Sequence, residues 1–143
     1  LPLKEGEATA APPRPMRRRQ NTETILLVED DGVVRDLTRK MLQRMGFTVL
    51  AAEGGREAMA ICKAHSGAIH LLLTDVVMPS MDGKEIYEAL HRHRPDLRVL
   101  FMSGYSENII AHHGVINGDT AFIQKPFTIQ MLQEQVRAAL DRP

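Results

Sequence analysis

Apolar and polar positions along the chain alternate between two periods. Short, mainly apolar runs occur at ILLV (25–28), FTVLAA (47–52), IHLLLTD (69–75), LRVLFMS (97–103) and AFIQ (121–124). Runs of this length, bounded by polar or turn residues, predict strands. Between them the spacing turns helical. VVRDLTRKMLQRMG (33–46) places Val34, Leu37, Met41, Leu42 and Met45 on an inward stripe and stops at Gly46. REAMAICKAH (56–65) turns Ala58, Ile61 and Cys62 inward, and KEIYEALHRH (84–93) opens behind Asp82 as N-cap. SENIIAHH (106–113) is a short helix, and IQMLQEQVRAALD (129–141) is an amphipathic one begun at Thr128.

Five βα units in strict alternation predict an α/β fold, a doubly wound parallel sheet with helices on both faces. The first, third and fourth strands are continuously apolar and belong in the centre. FTVLAA is less so and suits an edge. Together these select the flavodoxin-like (βα)5 order 2-1-3-4-5.

Residues 1–23 (LPLKEGEATAAPPRPMRRRQNTE) lack that periodicity. Pro12, Pro13 and Pro15 interrupt regular structure, so this stretch reads as a flexible linker and 24–141 as the folded domain. Arg17, Arg18 and Arg19 form a short basic run without interleaved aromatics, which is expected to be solvated and not to grip nucleic acid. Without the linker, 13 basic residues face 15 acidic ones. The whole chain has a formal net charge of zero, which gives no commitment to nucleic acid or membrane. The single cysteine, Cys62, excludes an internal disulfide, fits a reducing compartment and reads as a packed core thiol. No apolar run approaches the roughly 20 residues of a membrane span. The chain opens on Leu1, and the expectation is a segment of a longer protein.

Chemistry in such a sheet gathers beyond the carboxyl ends of the strands. There the sequence puts Glu29, Asp30 and Asp31 after the first strand, Asp75 at the tip of the third, Ser103 at the fourth and Lys125-Pro126 at the fifth. Each has a local explanation: Asp31 and Asp82 as helix caps, Ser103 in turn chemistry, Lys125 as a snorkelling cation. Four polar arrivals at one edge call for a shared one. Clustered carboxylates raise one another's pKa unless a cation balances them, and an all-oxygen set suits Mg²⁺. Beside such an ion Asp75 can act as a nucleophile towards phosphorus, with Lys125 and Ser103 on the phosphoryl oxygens.

In combination, LLVEDD (26–31), TDVVMPSMDG (74–83), FMSGY (101–105) and FIQKPF (122–127) resemble the receiver domains of response regulators, the CheY-like superfamily, over about residues 24–141. The resemblance implies Asp75 as phosphoacceptor. It implies Glu29 and Asp30 as the acidic pair at Mg²⁺, with Asp30 the direct ligand, and the backbone carbonyl of Val77 as a further one. It also implies Ser103 and Lys125 on the phosphoryl group, Ser103 and Phe122 as switch residues, and a cis Lys125-Pro126 bond. Glu29 stands where aspartate is more usual, Ser103 where threonine is, and Gly104 where alanine is; Phe122 carries no hydroxyl.

The implied function is phosphorelay signalling. A phosphoryl group passes from a phosphohistidine or a small phosphodonor to Asp75 and switches the face made by the fourth helix (106–113), the fifth strand and the fifth helix (129–141). The partners are a histidine kinase or a histidine phosphotransfer domain, and that face is also a place for a weak dimer. A cytoplasmic location follows, with no nucleic acid or membrane contact by this domain. LPL at 1–3 and the linker resemble the end of a kinase ATP-binding domain running into the C-terminal receiver of a hybrid sensor histidine kinase, in which case the parent chain is a kinase. Little follows Asp141, so no DNA-binding output domain is expected within these residues.

Other readings stay open. A stand-alone regulator or phosphate sink fits the same residues. A haloacid-dehalogenase-type Mg²⁺ phosphohydrolase wants an acid two residues past its nucleophile, where this chain has Val77. A Rossmann half would need a glycine-rich loop, and EDDGVVRD offers Gly32 alone. A degenerate receiver acting as a scaffold fits poorly with a complete acid, Ser and Lys set. His91, His93, His112 and His113 read as surface residues, although His112-His113 could pair on a metal. The glycine-containing loop 114–120 is expected to be the most mobile segment.

Overall fold

Each apolar run sends alternate side chains to opposite sides of one sheet. In β1 (Thr24–Val28), Ile25 and Leu27 enter one core while Leu26 and Val28 enter the other. A run buried on both faces needs a helical layer on each side, and the molecule supplies both. The computed structural model describes residues 21–79, 81–104 and 121–142. Following β1 are α1 (Gly32–Arg44), β2 (Thr48–Ala52), α2 (Gly55–Ala64), β3 (Leu71–Asp75), α3 (Gly83–His93), β4 (Arg98–Ser103), β5 (Phe122–Gln124) and α4 (Ile129–Leu140). The sheet order is β2-β1-β3-β4-β5, every pairing parallel. The expected fold and strand order are therefore present. The helix expected over 106–113, His112, His113 and the loop 114–120 lie outside the described residues.

One core packs Leu27, Leu73 and Met102 beneath Leu42 of α1 and Leu132 and Val136 of α4. The second packs Leu26, Leu72 and Val28 against Ala58 and Cys62 of α2 and Ile86 and Leu90 of α3. Each fully buried aliphatic side chain contributes about 1.5–3 kcal/mol, so the two layers pin the strand tips to one level. The helix starts follow the sequence: Asp31 caps α1, Asp82 caps α3 through a reciprocal capping box with Glu85, and Thr128 caps α4. Gly46, with φ at 108°, ends α1 in the left-handed region that glycine tolerates.

Some expectations moved. β3 begins at Leu71, not Ile69, and β5 spans three residues without Ala121. In α1 the buried positions are Thr38 and Leu42, while Leu37 is 54% exposed. The helix is rotated towards Thr38 because Leu42, Met41 and Met45 are what the sheet engages. Asn21 and Glu23, at the end of the stretch read as linker, are held by the Arg137 guanidinium of α4 at 3.0 and 2.7 Å. The Glu23 carbonyl also accepts from Thr48 N–H, extending the ladder before β1.

Candidate functional site

The acids after β1 are set by backbone bonds on both sides. Glu29 N–H donates to Ala52 O at 3.1 Å, continuing the β1–β2 ladder, and Arg35 Nη1 donates to Glu29 O at 2.8 Å. The chain then turns. Asp31 N–H donates back to Glu29 Oε2 at 3.1 Å, while Asp31 Oδ1 accepts from Val33 and Val34 N–H to start α1. Asp31 is thus a helix cap, Glu29 is buried and Asp30 is left exposed between them.

Asp75 ends β3 in the centre of the sheet. Its follower, Val76, donates to Met102 O at 2.9 Å and accepts from Gly83 N–H at 2.7 Å. This second bond brings the start of α3 against the strand tip. A Cβ on Gly83 would stand 2.2 Å from the Asp75 carbonyl oxygen, so the close approach needs a glycine. From the other side, Lys125 N–H donates to Ser103 O at 2.8 Å, which aligns the ends of β4 and β5. The Lys125-Pro126 bond is cis. Lys125 Nζ then reaches Asp75 Oδ1 at 2.7 Å and Glu29 Oε1 at 3.1 Å. Ser103 is fully buried, with its hydroxyl donating to Gly104 O at 3.2 Å.

Charge at this edge is unbalanced. Glu29, Asp30 and Asp75 bring one carboxylate oxygen each to within 4.8 Å of one another, and Lys125 contacts Glu29 and Asp75. Burial, and then the neighbouring Glu29, push the Asp75 carboxyl up to about 8 against the pull of Lys125. Burial opposes the Glu29 charge as well, but its hydrogen bonds with Asp75, Asp31 N–H and Lys125 hold it below the usual carboxylate range. Lys125 loses hydration, yet its two carboxylate partners keep its pKa raised. Three oxygen ligands, one exposed and one disfavoured as an anion, form a pocket that could bind a hard cation.

The tertiary structure therefore brings Glu29, Asp30, Asp75 and Lys125 together, with Ser103 on the adjoining strand end. Val77 lies two residues past Asp75 in an exposed part of the loop. Phe122 is half-buried and packs with Val76 and Phe101. Arg35 and Gly83 contribute without having been singled out as site residues. Arg35 was legible as the residue one turn inside a helix capped by Asp31, hence facing back to the strand end. Gly83 sat in the MDG turn, where only the fold shows what it must approach. Cys62 is a core thiol that accepts from Arg94 Nε at 3.2 Å, and His91 and His93 are exposed.

Known proteins share this fold and much of its sequence. The response regulator receiver domain family matches residues 25–137. A sensor kinase CckA from Brucella abortus is 36% identical over 119 residues, covering 83% of this chain and 13% of the kinase. The response regulator receiver protein CpdR from the same organism is 32% identical over 116 residues, covering 81% of this chain and 95% of CpdR. Among solved structures, the receiver domain of a hybrid histidine kinase CckA superposes with a TM-score of 0.68 at 31% identity, covering 82% of this chain and 99% of that one. The chain spans less than a third of the length of the first curated relatives it matches, CckA and a cyclic di-GMP phosphodiesterase from Thermotoga maritima.

Proposed function

The chain belongs to the response-regulator receiver domains of two-component phosphorelays, and from that premise we propose that Asp75 is its phosphoacceptor. One observation carries the assignment: Asp75 is the acid that is buried at a central strand tip, in contact with Lys125 and within the three-carboxylate pocket. Receiver domains interact with histidine kinases or phosphotransfer proteins, so the donor is a phosphohistidine, which a small phosphodonor can replace.

The residues present suit Mg²⁺. Asp30 and Asp75 would hold it, with Glu29 beside them and the Val77 carbonyl as a further oxygen. When bound, the ion supplies positive charge that keeps Asp75 ionised and offsets the phosphoryl oxygens. An Asp75 oxygen attacks phosphorus, the P–N bond to the donor imidazole breaks, and its electron pair stays on the imidazole nitrogen, which takes a proton from solvent. Lys125 meets the negative phosphoryl oxygens as a fixed point charge, and the Ser103 hydroxyl, turned from Gly104 O, donates to them. Phe122 follows Ser103 by packing, since it has no hydroxyl to satisfy, and carries the change towards the surface of β5 and α4. That face also provides the surface for a weak dimer.

The parent protein is read as a hybrid histidine kinase with this receiver at its C-terminal end, a reading supported by the identity to CckA. The near full-length match to CpdR favours the stand-alone regulator as the second reading, and the gene sequence upstream of Leu1 separates the two. A cytoplasmic setting fits both, and no helix among the described residues is long and apolar enough to cross a membrane.

Incubation with acetyl phosphate and Mg²⁺, followed by mass spectrometry of borohydride-trapped peptides, tests the assignment. One phosphoryl group on Asp75 is expected, and none on the Asp75→Asn variant. Undiminished labelling of that variant overturns the assignment.

A further inference from the structure

Asp30 is the exposed acid of the cluster, yet one of its oxygens lies within 4.8 Å of oxygens from Glu29 and Asp75. An exposed carboxylate beside two others is pushed away from them by charge. Its direction therefore has to come from the backbone.

The backbone is held on both sides of Asp30. Ahead of it, the Glu29 carbonyl accepts from Arg35 Nη1 at 2.8 Å, which fixes the Glu29–Asp30 peptide plane. Behind it, Asp31 N–H donates to Glu29 Oε2 at 3.1 Å, which fixes the Asp30–Asp31 plane. A residue between two fixed peptide planes has its φ and ψ set, and with them the direction of its side chain. The first of these bonds depends on a single side chain. β2 ends at Ala52, whose carbonyl takes Glu29 N–H, and Arg35 supplies the donor for the Glu29 carbonyl in place of a next strand residue.

Arg35 reaches that carbonyl by folding back over the first turn of α1. A Cβ built on Gly32 would stand 3.6 Å from Arg35 Nη2, so the guanidinium lies along the turn that carries the acids. Arg35 N–H also donates to Asp31 O at 2.8 Å, which ties the residue to the same turn by its backbone. By charge alone, a guanidinium near this pocket works against a bound divalent cation. Its place is accounted for by what it holds.

We propose that Arg35 is a positioning residue for Asp30: through the Glu29 carbonyl it holds the peptide that aims the Asp30 carboxylate into the three-acid pocket. The proposal rests on the reading of Asp30 as a ligand of the bound ion.

The test is a Mg²⁺ titration of the full chain, read from amide chemical shifts, in Arg35→Met, Arg35→Gln and Arg35→Lys. Charge and positioning give opposite signs. If Arg35 acted by charge alone, its removal would tighten Mg²⁺ binding. With the positioning role, the dissociation constant should rise about tenfold in Arg35→Met and Arg35→Gln, neither of which reaches the Glu29 carbonyl with a donor. Arg35→Lys, which keeps a donor on a long stem, should fall between these variants and the parent. Added to Asp30→Asn, Arg35→Met should change the affinity by less than about twofold. With acetyl phosphate, the half-saturating Mg²⁺ concentration should rise in Arg35→Met while the maximal labelling rate stays within about twofold of the parent.

Folding is checked by circular dichroism, and should one neutral variant fail to fold, the other decides. A dissociation constant that falls, or that rises less than about threefold, overturns the proposal. An equal rise on the Asp30→Asn background also overturns it. Failure of the Asp30 reading would show differently, as unchanged Mg²⁺ affinity in Asp30→Asn itself, and the proposal would fall with it.

Discussion

The two ends of the sheet treat their charged groups in opposite ways. At the amino ends of the strands, cations are matched to acceptors. Arg94 donates to the carbonyls of Cys62, His65 and Gly67 and to the Cys62 sulfur, closing the end of α2 and the turn behind it. Arg98 donates twice to Arg142 O, and Arg137 holds Asn21, Glu23 and Asp141. At the carboxyl ends, three carboxylates crowd together with Lys125 on two of them, and Asp75 is pushed up to about 8. Among the described residues, the cations of one end have acceptors within the chain. The other end is the one proposed to receive an ion and a phosphoryl group. Function sits where the fold leaves charge unbalanced, because only there can a ligand lower the free energy.

The largest expected effect comes from placing a methyl group where the two kinds of packing meet. Gly83→Ala puts a Cβ 2.2 Å from the Asp75 carbonyl and 3.2 Å from the Phe101 ring. Backbone must move, at a cost of about 3 kcal/mol or more, and Asp75 moves with it. Urea unfolding and acetyl phosphate labelling should both show the damage. Full labelling with unchanged stability would mean that the strand tip is softer than its contacts indicate.

Next is the satisfied end. Arg94→Leu removes the donor shared by three carbonyls and should destabilise the domain by about 2–3 kcal/mol, since orphaned acceptors lose their partner. Mg²⁺ affinity and labelling should stay as they were. An equal loss in Mg²⁺ binding would erase the distinction between the two ends.

The smallest effect carries a sign. Without metal, the folded state keeps a proton on Asp75 that the unfolded chain releases in the ordinary aspartate range. The stabilisation is complete below the unfolded pKa and is lost as pH rises through about 8. Between pH 5 and 8 the metal-free domain should therefore lose about 1–2 kcal/mol that Asp75→Asn does not lose, a shift small enough to reflect partial compensation by Lys125. Thermal melts across that range check it, and Mg²⁺ should flatten the slope of the parent. A parent that becomes more stable towards pH 8 without metal would contradict the unbalanced-charge picture.

Much of this was legible in the chain, for reasons of period. Ile25 to Val28 and Leu71 to Leu73 are apolar without interruption because both faces of a central strand are covered, and that pattern alone selects the sheet order. Asp31, Asp82 and Thr128 announce their helices because a cap is a local bond, made within three residues. Asp75 stood out because a carboxylate ends the most apolar strand. What adjacency along the chain cannot express, only the tertiary structure decided. Leu37 and Thr38 exchange roles because the rotation of α1 is set by what Leu42 meets across the sheet. Gly83 is required by a carbonyl eight residues earlier, at a distance that depends on how α3 docks. Glu29 and Lys125 are 96 residues apart, and no periodicity relates them. Their pairing, and the difference it makes between Glu29 and Asp30, arises from a parallel sheet that delivers strand ends to one place while each side chain's reach decides which oxygen meets which cation.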